Sequence, residues 1–149
     1  MSTLEPTQPI DVLLVEDDDG DVLLIQEAFE HNKVYNKLTV VSDGVEALEF
    51  LRKQGKYKGT PRPDIILLDL NLPKKDGREV LQEIKADSRL MRIPVVVLTT
   101  SKAEEDVLKT YTLHANCYVT KPVDLEQFIK VVQSIDNFWL TVVTLPNGK

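Results

Sequence analysis

A chain of 149 residues, 42% hydrophobic and 28% charged, has the size and composition of one globular domain with its own core. Its net charge of −6, from 24 acidic and 18 basic side chains, argues against a nucleic-acid binder that needs a basic face. Cys117 is the only cysteine, the polar start 1–9 is no signal peptide, and no apolar run reaches the roughly 18 residues of a membrane span. A reducing, cytoplasmic setting without membrane or nucleic acid is the expectation.

Apolar runs alternate with stretches of helical period, the pattern of βαβ units. The first strand, near 11–15, carries Val12-Leu13-Leu14-Val15 and runs into Glu16-Asp17-Asp18. A helix over 20–31 follows, then a strand near 38–42 and a helix over 44–54. The segment 54–63 is an extended loop of Gly, Pro and Lys. Ile65-Ile66-Leu67-Leu68 form the third strand, near 64–69, which ends in Asp69; a helix spans 77–86. The fourth strand, near 94–99, ends in Thr99 and leads to a helix over 102–113. The fifth, near 117–120, ends in Lys121-Pro122. In the helix over 125–137, Leu125, Phe128, Ile129, Val132 and Ile135 recur at helical spacing. Asp43/Glu46, Asp76/Glu79, Ser101/Glu104 and Asp124/Gln127 match capping boxes, whose side chains satisfy first-turn amides. The chain thus divides into a flexible N-terminus (1–9), a domain (10–137) and a C-terminal apolar extension (138–149).

The first, third and fourth strands are apolar without a break, as strands covered on both faces must be. Leu38-Thr39-Val40-Val41-Ser42 and Cys117-Tyr118-Val119-Thr120 are more polar and suit the edges. The expected fold is therefore α/β: a doubly wound, five-stranded parallel sheet of order 2-1-3-4-5, flavodoxin-like, with helices on both faces. In that order Asp17, Asp69, Thr99 and Lys121 line one rim at the carboxyl ends of the strands, where open α/β sheets bind ligands.

Acids, a hydroxyl and a lysine on one rim suit magnesium-assisted transfer of a phosphoryl group onto a carboxylate. Mg²⁺ takes one or two carboxylates and keeps several waters. Asp17 and Asp69 supply direct ligands, and Glu16 holds a coordinated water. Carboxylates this close repel, so a cation is needed before Asp69 attacks phosphorus. Lys121 then balances phosphate charge, and the Thr99 hydroxyl bonds a phosphoryl oxygen. Asp18, Asp19, Asp21 and Asp76 read more simply as turn or cap residues.

The set Glu16-Asp17, Asp69, Thr99 and Lys121-Pro122, with the loop Asp69-Leu70-Asn71-Leu72-Pro73-Lys74-Lys75-Asp76-Gly77, resembles the receiver domain of two-component response regulators. The resemblance covers about residues 10–135. It implies that Asp69 takes phosphate from a histidine kinase and that Asp17, Asp69 and the Asn71 backbone carbonyl hold Mg²⁺. It also implies that Thr99 and Tyr118 switch together and that Lys121-Pro122 is a cis peptide. Glu16 departs from the family, where many members have Asp. Pro61-Arg62-Pro63, the loop continuing through Arg78-Glu79-Val80-Leu81, and Phe138-Trp139-Leu140 are similar to small cyanobacterial response regulators that serve phytochrome-type histidine kinases.

What remains after residue 137 is too short for a DNA-binding domain, so output is expected through a partner surface. The face of the fourth helix, fifth strand and fifth helix is bracketed by Thr99 and Tyr118. With the tail residues Phe138, Trp139, Leu140, Val142, Val143 and Leu145, it is expected to form a homodimer. The alternative is a magnesium-dependent aspartyl-phosphate phosphatase or phosphotransferase. That enzyme needs a second acid after Asp69 and a substrate cap, and the chain has Leu70-Asn71 and no long insertion. A flavodoxin-like electron carrier would place a flavin phosphate against the acids Glu16 to Asp21. His31, His114 and Cys117 lack partners at catalytic or metal-ligand spacing, and Lys74 and Lys75 read as a solvated loop.

Overall fold

Runs rich in Val, Ile and Leu assemble one parallel sheet from β1 (Ile10–Val15), β2 (Asn36–Val41), β3 (Ile65–Asp69), β4 (Val95–Thr99) and β5 (Cys117–Thr120). Their order is β2-β1-β3-β4-β5, as expected from the polarity of the two edge strands. The computed structural model describes residues 10–32, 36–100, 103, 117–121 and 123–144. Around the sheet stand α1 (Asp19–His31), α2 (Gly44–Leu51), α3 (Gly77–Ala86) and a C-terminal helix (Leu125–Thr144). The helix expected over 102–113 and its Ser101/Glu104 cap lie almost wholly outside the described residues.

Side chains alternate across a strand, so each central strand feeds two cores. Leu13, Val15, Ile66, Leu68, Val95 and Val97 pack with Phe50 of α2 and with Val80, Leu81 and Ile84 of α3. Val12, Leu14, Leu67, Val96 and Leu98 point the other way, onto Ile25 and Phe29 of α1 and onto Phe128 and Val132 of the C-terminal helix. Every residue of β3 and β4 is buried. Each aliphatic side chain so placed stabilises the fold by roughly 1.5–3 kcal/mol relative to exposure. The register aligns Val15 with Leu68, Asp69 with Leu98 and Thr99 with Thr120, which brings the strand ends onto one rim.

The caps carry most helix boundaries. Asp43 accepts from the Glu46 N–H at 2.7 Å, and Asp124 from the Gln127 N–H at 2.9 Å. Asp76 and Glu79 complete the reciprocal capping box of α3. Asp18 caps α1, accepting from the N–H groups of Gly20 and Asp21. Two helix ends differ from expectation. The helix α2 stops at Leu51 rather than 54, because Lys53 turns to φ +55° and the chain enters a 3₁₀ turn at Gly55–Tyr57. There the Tyr57 ring meets Phe50 edge-on at 5.1 Å, and its hydroxyl donates to Glu46. The C-terminal helix runs on to Thr144 instead of ending at 137. From Phe138 to Leu145 the sequence has no glycine or proline to stop it, and the first breaker is Pro146.

Candidate functional site

Each site residue leaves the sheet where a strand runs out. Glu16 follows β1, its N–H held by the Val41 carbonyl at 3.0 Å, which ties the end of β1 to the end of β2. Glu16 is 1% exposed, whereas Asp17 beside it is exposed. Asp69, the last residue of β3, is also 1% exposed. Carboxylate oxygens of Glu16, Asp17 and Asp69 all lie within 4.8 Å of one another. Three such acids lack enough positive charge of their own, and burial makes the deficit costly.

Lys121 meets that deficit in part. Its Nζ lies 3.1 Å from Asp69 Oδ2, 3.1 Å from Asp21 and 3.4 Å from Glu16. Its backbone N–H donates to the Thr99 carbonyl at 2.7 Å, so β4 sets where the lysine stem begins. Desolvation disfavours the charged ammonium, but the carboxylates of Asp21, Asp69 and Glu16 outweigh it and push its pKa up. Glu16 shifts the opposite way in charge. Burial, then the adjacent Asp69 carboxylate, push its pKa up to about 8, against opposing contributions from the Asp18 N–H and Lys121. The donor set therefore fits a hard divalent cation: oxygen ligands only, crowded, and holding a proton that a cation would displace.

The loop after β3 is shaped by close backbone approaches. The Leu70 N–H donates to the Leu98 carbonyl at 3.1 Å, and the Gly77 N–H to the Leu70 carbonyl at 2.9 Å. A Cβ at Gly77 would lie 2.3 Å from the Asp69 carbonyl oxygen, so only glycine fits under the strand end. The Asn71 N–H donates to Asp69 Oδ1 at 3.0 Å, fixing the carboxylate, while the Asn71 side chain is exposed. The Lys75 N–H reaches the Pro73 carbonyl at 2.8 Å across Lys74, which sits at φ +67°. That is a γ-turn with positive φ, a rare and strained form.

The remaining expected residues fall as follows. Thr99 is fully buried at the end of β4. Tyr118 is half-buried in β5, in register with Val97, and packs against the core shared with α2 and α3. Pro122, and with it the expected cis peptide, lies outside the described residues, as does His114. Asp76 is a cap, as read from the sequence, and His31 is exposed at the end of α1. Cys117 is half-buried against the core beside the C-terminal helix. Two readings change. Asp21 joins the site through Lys121, although acids are common in first helical turns and nothing in its context set it apart. Lys75 is not simply solvated but pairs with Glu83, while Lys74 is exposed as read, its ammonium 3.5 Å from Asp43 at the surface.

The sequence matches the family described as response regulator receiver domain over residues 12–133. It is 54% identical to the response regulator Rcp1 of Synechocystis sp. over 142 residues, 95% of this chain and 97% of that protein. The structure is similar to that of the phosphorylated cyanobacterial phytochrome response regulator RcpA, with a TM-score of 0.79 and 52% identity over 93% of this chain and 99% of the other. It is similar also to the Mn²⁺-bound form of Rcp1, with a TM-score of 0.77 and 54% identity over the same shares. Among the described residues no helix is long and apolar enough to cross a membrane. With its sheet order, its rim of carboxylates and lysine, and these matches, the chain belongs to the response regulator receiver domain family.

Proposed function

We propose that this chain relays a phytochrome-type light signal by accepting a phosphoryl group on Asp69 from a histidine kinase in the cytoplasm. The observation that carries the reading is the Asp69 carboxylate, buried at a strand end between the Lys121 ammonium and two further acids. The relatives' descriptions support the light-signalling part, since RcpA is named as a cyanobacterial phytochrome response regulator.

In the transfer, an Asp69 oxygen attacks phosphorus and forms an acyl phosphate. The bond from phosphorus to the kinase imidazole nitrogen breaks, and the imidazole leaves with the electron pair. Asp17, Asp69 and the Asn71 backbone carbonyl would hold Mg²⁺, with Glu16 reaching it through a water. Bound there, Mg²⁺ supplies the charge neutralisation that lets an anionic phosphoryl group approach carboxylates. Lys121 exchanges its present bond to Asp69 for one to the phosphoryl oxygens, and Asp21 keeps the ammonium at the rim meanwhile. Thr99 donates its hydroxyl to the same group. Its movement lets Tyr118 take up the space released, biasing a two-state element on the β5 face. The chemistry is confined to phosphoryl uptake and loss on Asp69.

The folded receiver unit is taken as 10–137, and the apolar residues from Phe138 onward, which as far as Thr144 lie on the continuous C-terminal helix, pair with a second copy. A light-scattering mass of one chain at high concentration, with and without phosphorylation, would exclude the homodimer. The central reading is tested by intact mass spectrometry after incubation with acetyl phosphate. One added phosphoryl group is expected with Mg²⁺, and none without Mg²⁺ or in Asp69→Asn.

A further inference from the structure

The γ-turn at Lys74 needs an external cause, because a lysine at positive φ persists only where its surroundings over-determine it. Two groups supply that cause. A Cβ at Gly44 would lie 2.1 Å from the Lys75 carbonyl oxygen and 2.9 Å from the Lys75 Cβ, so the start of α2 presses directly on the turn. Beyond it, the Lys75 ammonium pairs with Glu83 on α3, and Glu83 pairs in turn with Arg52 at 3.1 Å. Arg52 caps the end of α2 and also lies 3.8 Å from Asp87, just past α3. Lys75 is thereby committed to an acid on α3 instead of the nearby acidic rim. The Lys75 bond, followed by that of Arg52, holds the Glu83 carboxyl below its ordinary pKa, so it stays ionised.

We propose that Lys75 is a positioning residue: the relay Lys75–Glu83–Arg52 sets the turn after β3, and thereby the Asn71 backbone and the Asp69 carboxylate as metal donors. The relay touches neither metal nor phosphate. It acts through a chain segment of four residues, from Asn71 to Lys74, whose N–H at Asn71 already fixes Asp69 Oδ1 at 3.0 Å. This inference rests on the metal-dependent phosphoacceptor reading above.

The test is calorimetric titration of Mg²⁺ into wild type, Lys75→Met, Lys75→Arg, Glu83→Gln and Arg52→Met, with thermal unfolding of each in parallel. Lys75→Met and Glu83→Gln are expected to weaken Mg²⁺ binding by about tenfold, the usual effect of losing a group that orients a ligand. Lys75→Arg should restore most of the affinity, and the Lys75→Met/Glu83→Gln double variant should be no weaker than either single one. In acetyl phosphate assays the Mg²⁺ concentration for half-maximal labelling should rise while the rate at saturating Mg²⁺ stays unchanged. Lowered thermal stability with wild-type Mg²⁺ affinity would overturn the inference and leave the relay a structural brace. Wild type that neither binds Mg²⁺ nor takes a phosphoryl group would remove the reading beneath it as well.

Discussion

The loop after β1 and the loop after β3 deliver carboxylates to the same rim, and they are fixed by different means. The first is short and electrostatic: Glu16 is buried beside Asp69, its carboxylate accepts from the Asp18 N–H at 3.1 Å, and Asp18 caps α1. The second is longer and steric, with backbone packed where a Cβ would overlap at Gly77 and at Gly44. The difference teaches which perturbation each loop should feel. Removing charge should disturb the first through the acids it concentrates, and adding volume should disturb the second through the path of its backbone.

The largest effect should come from the charge side. Lys121→Met strands the buried Asp69 carboxylate without its cation, beside a Glu16 that already carries a proton. Removing one partner of a buried ion pair costs about 3–5 kcal/mol, and the partly exposed lysine places this site towards the lower end. Urea unfolding in EDTA measures that loss. Adding Mg²⁺ should recover part of it, since a bound cation stabilises the state that binds it. Equal stability of wild type and variant in EDTA would mean that the Lys121 pair with Asp69 does not hold the rim together.

On the steric side, Gly77→Ala should cost about 1–3 kcal/mol, the range for forcing volume into a packed site. Its added Cβ meets only backbone, the Asp69 carbonyl and the Leu70 Cα, which cannot rotate away. Urea unfolding with Mg²⁺ absent and present separates the two loops, because cation addition should not rescue this variant as it rescues Lys121→Met. Rescue to the same degree would mean that the loops do not differ in kind.

The pH dependence sharpens the contrast further. With a folded pKa of about 8 against an ordinary 4.5, Glu16 binds more protons in the folded than in the unfolded chain across that window. Its contribution to metal-free stability is therefore full below the lower value and is lost as pH rises through the upper one. The melting temperature in EDTA should fall between about pH 5 and about pH 8. Glu16→Gln should flatten that slope, and a slope unchanged by the substitution would assign it to another group.

Those contrasts also explain what could be read from the chain alone. The sheet order was legible because burial on both faces demands unbroken apolar runs, as in Ile65 to Leu68, while the edge strand around Leu38 is mixed. Glu16, Asp17, Asp69, Thr99 and Lys121 were legible because strand ends in one parallel sheet share a rim. Asp21 was not, because an acid in a first helical turn looks the same whether it serves the dipole or a lysine from β5. The clamp on Lys75 was not either, since Gly44 and Glu83 meet it only after α2 and α3 are packed. The end of the C-terminal helix was misplaced for a local reason: the apolar residues after 137 carry no stop signal until Pro146.

The smallest effect is the one that best weighs strain against charge. Lys74→Gly removes the cost of a left-handed lysine, about 1–2 kcal/mol, because glycine reaches positive φ freely. It also gives the unfolded chain more freedom, which takes back about 0.5–1 kcal/mol. The lost pair with Asp43, at 3.5 Å and from a lysine side chain 69% exposed, is a surface pair of small value. The balance is a gain between zero and about 1 kcal/mol in urea unfolding, with Mg²⁺ affinity unchanged, since the clamp on the turn runs through Lys75 and Gly44 rather than the Lys74 side chain. A loss of more than about 1 kcal/mol would reverse the ranking and make the Lys74–Asp43 pair, rather than packing against Gly44, the force that holds the loop.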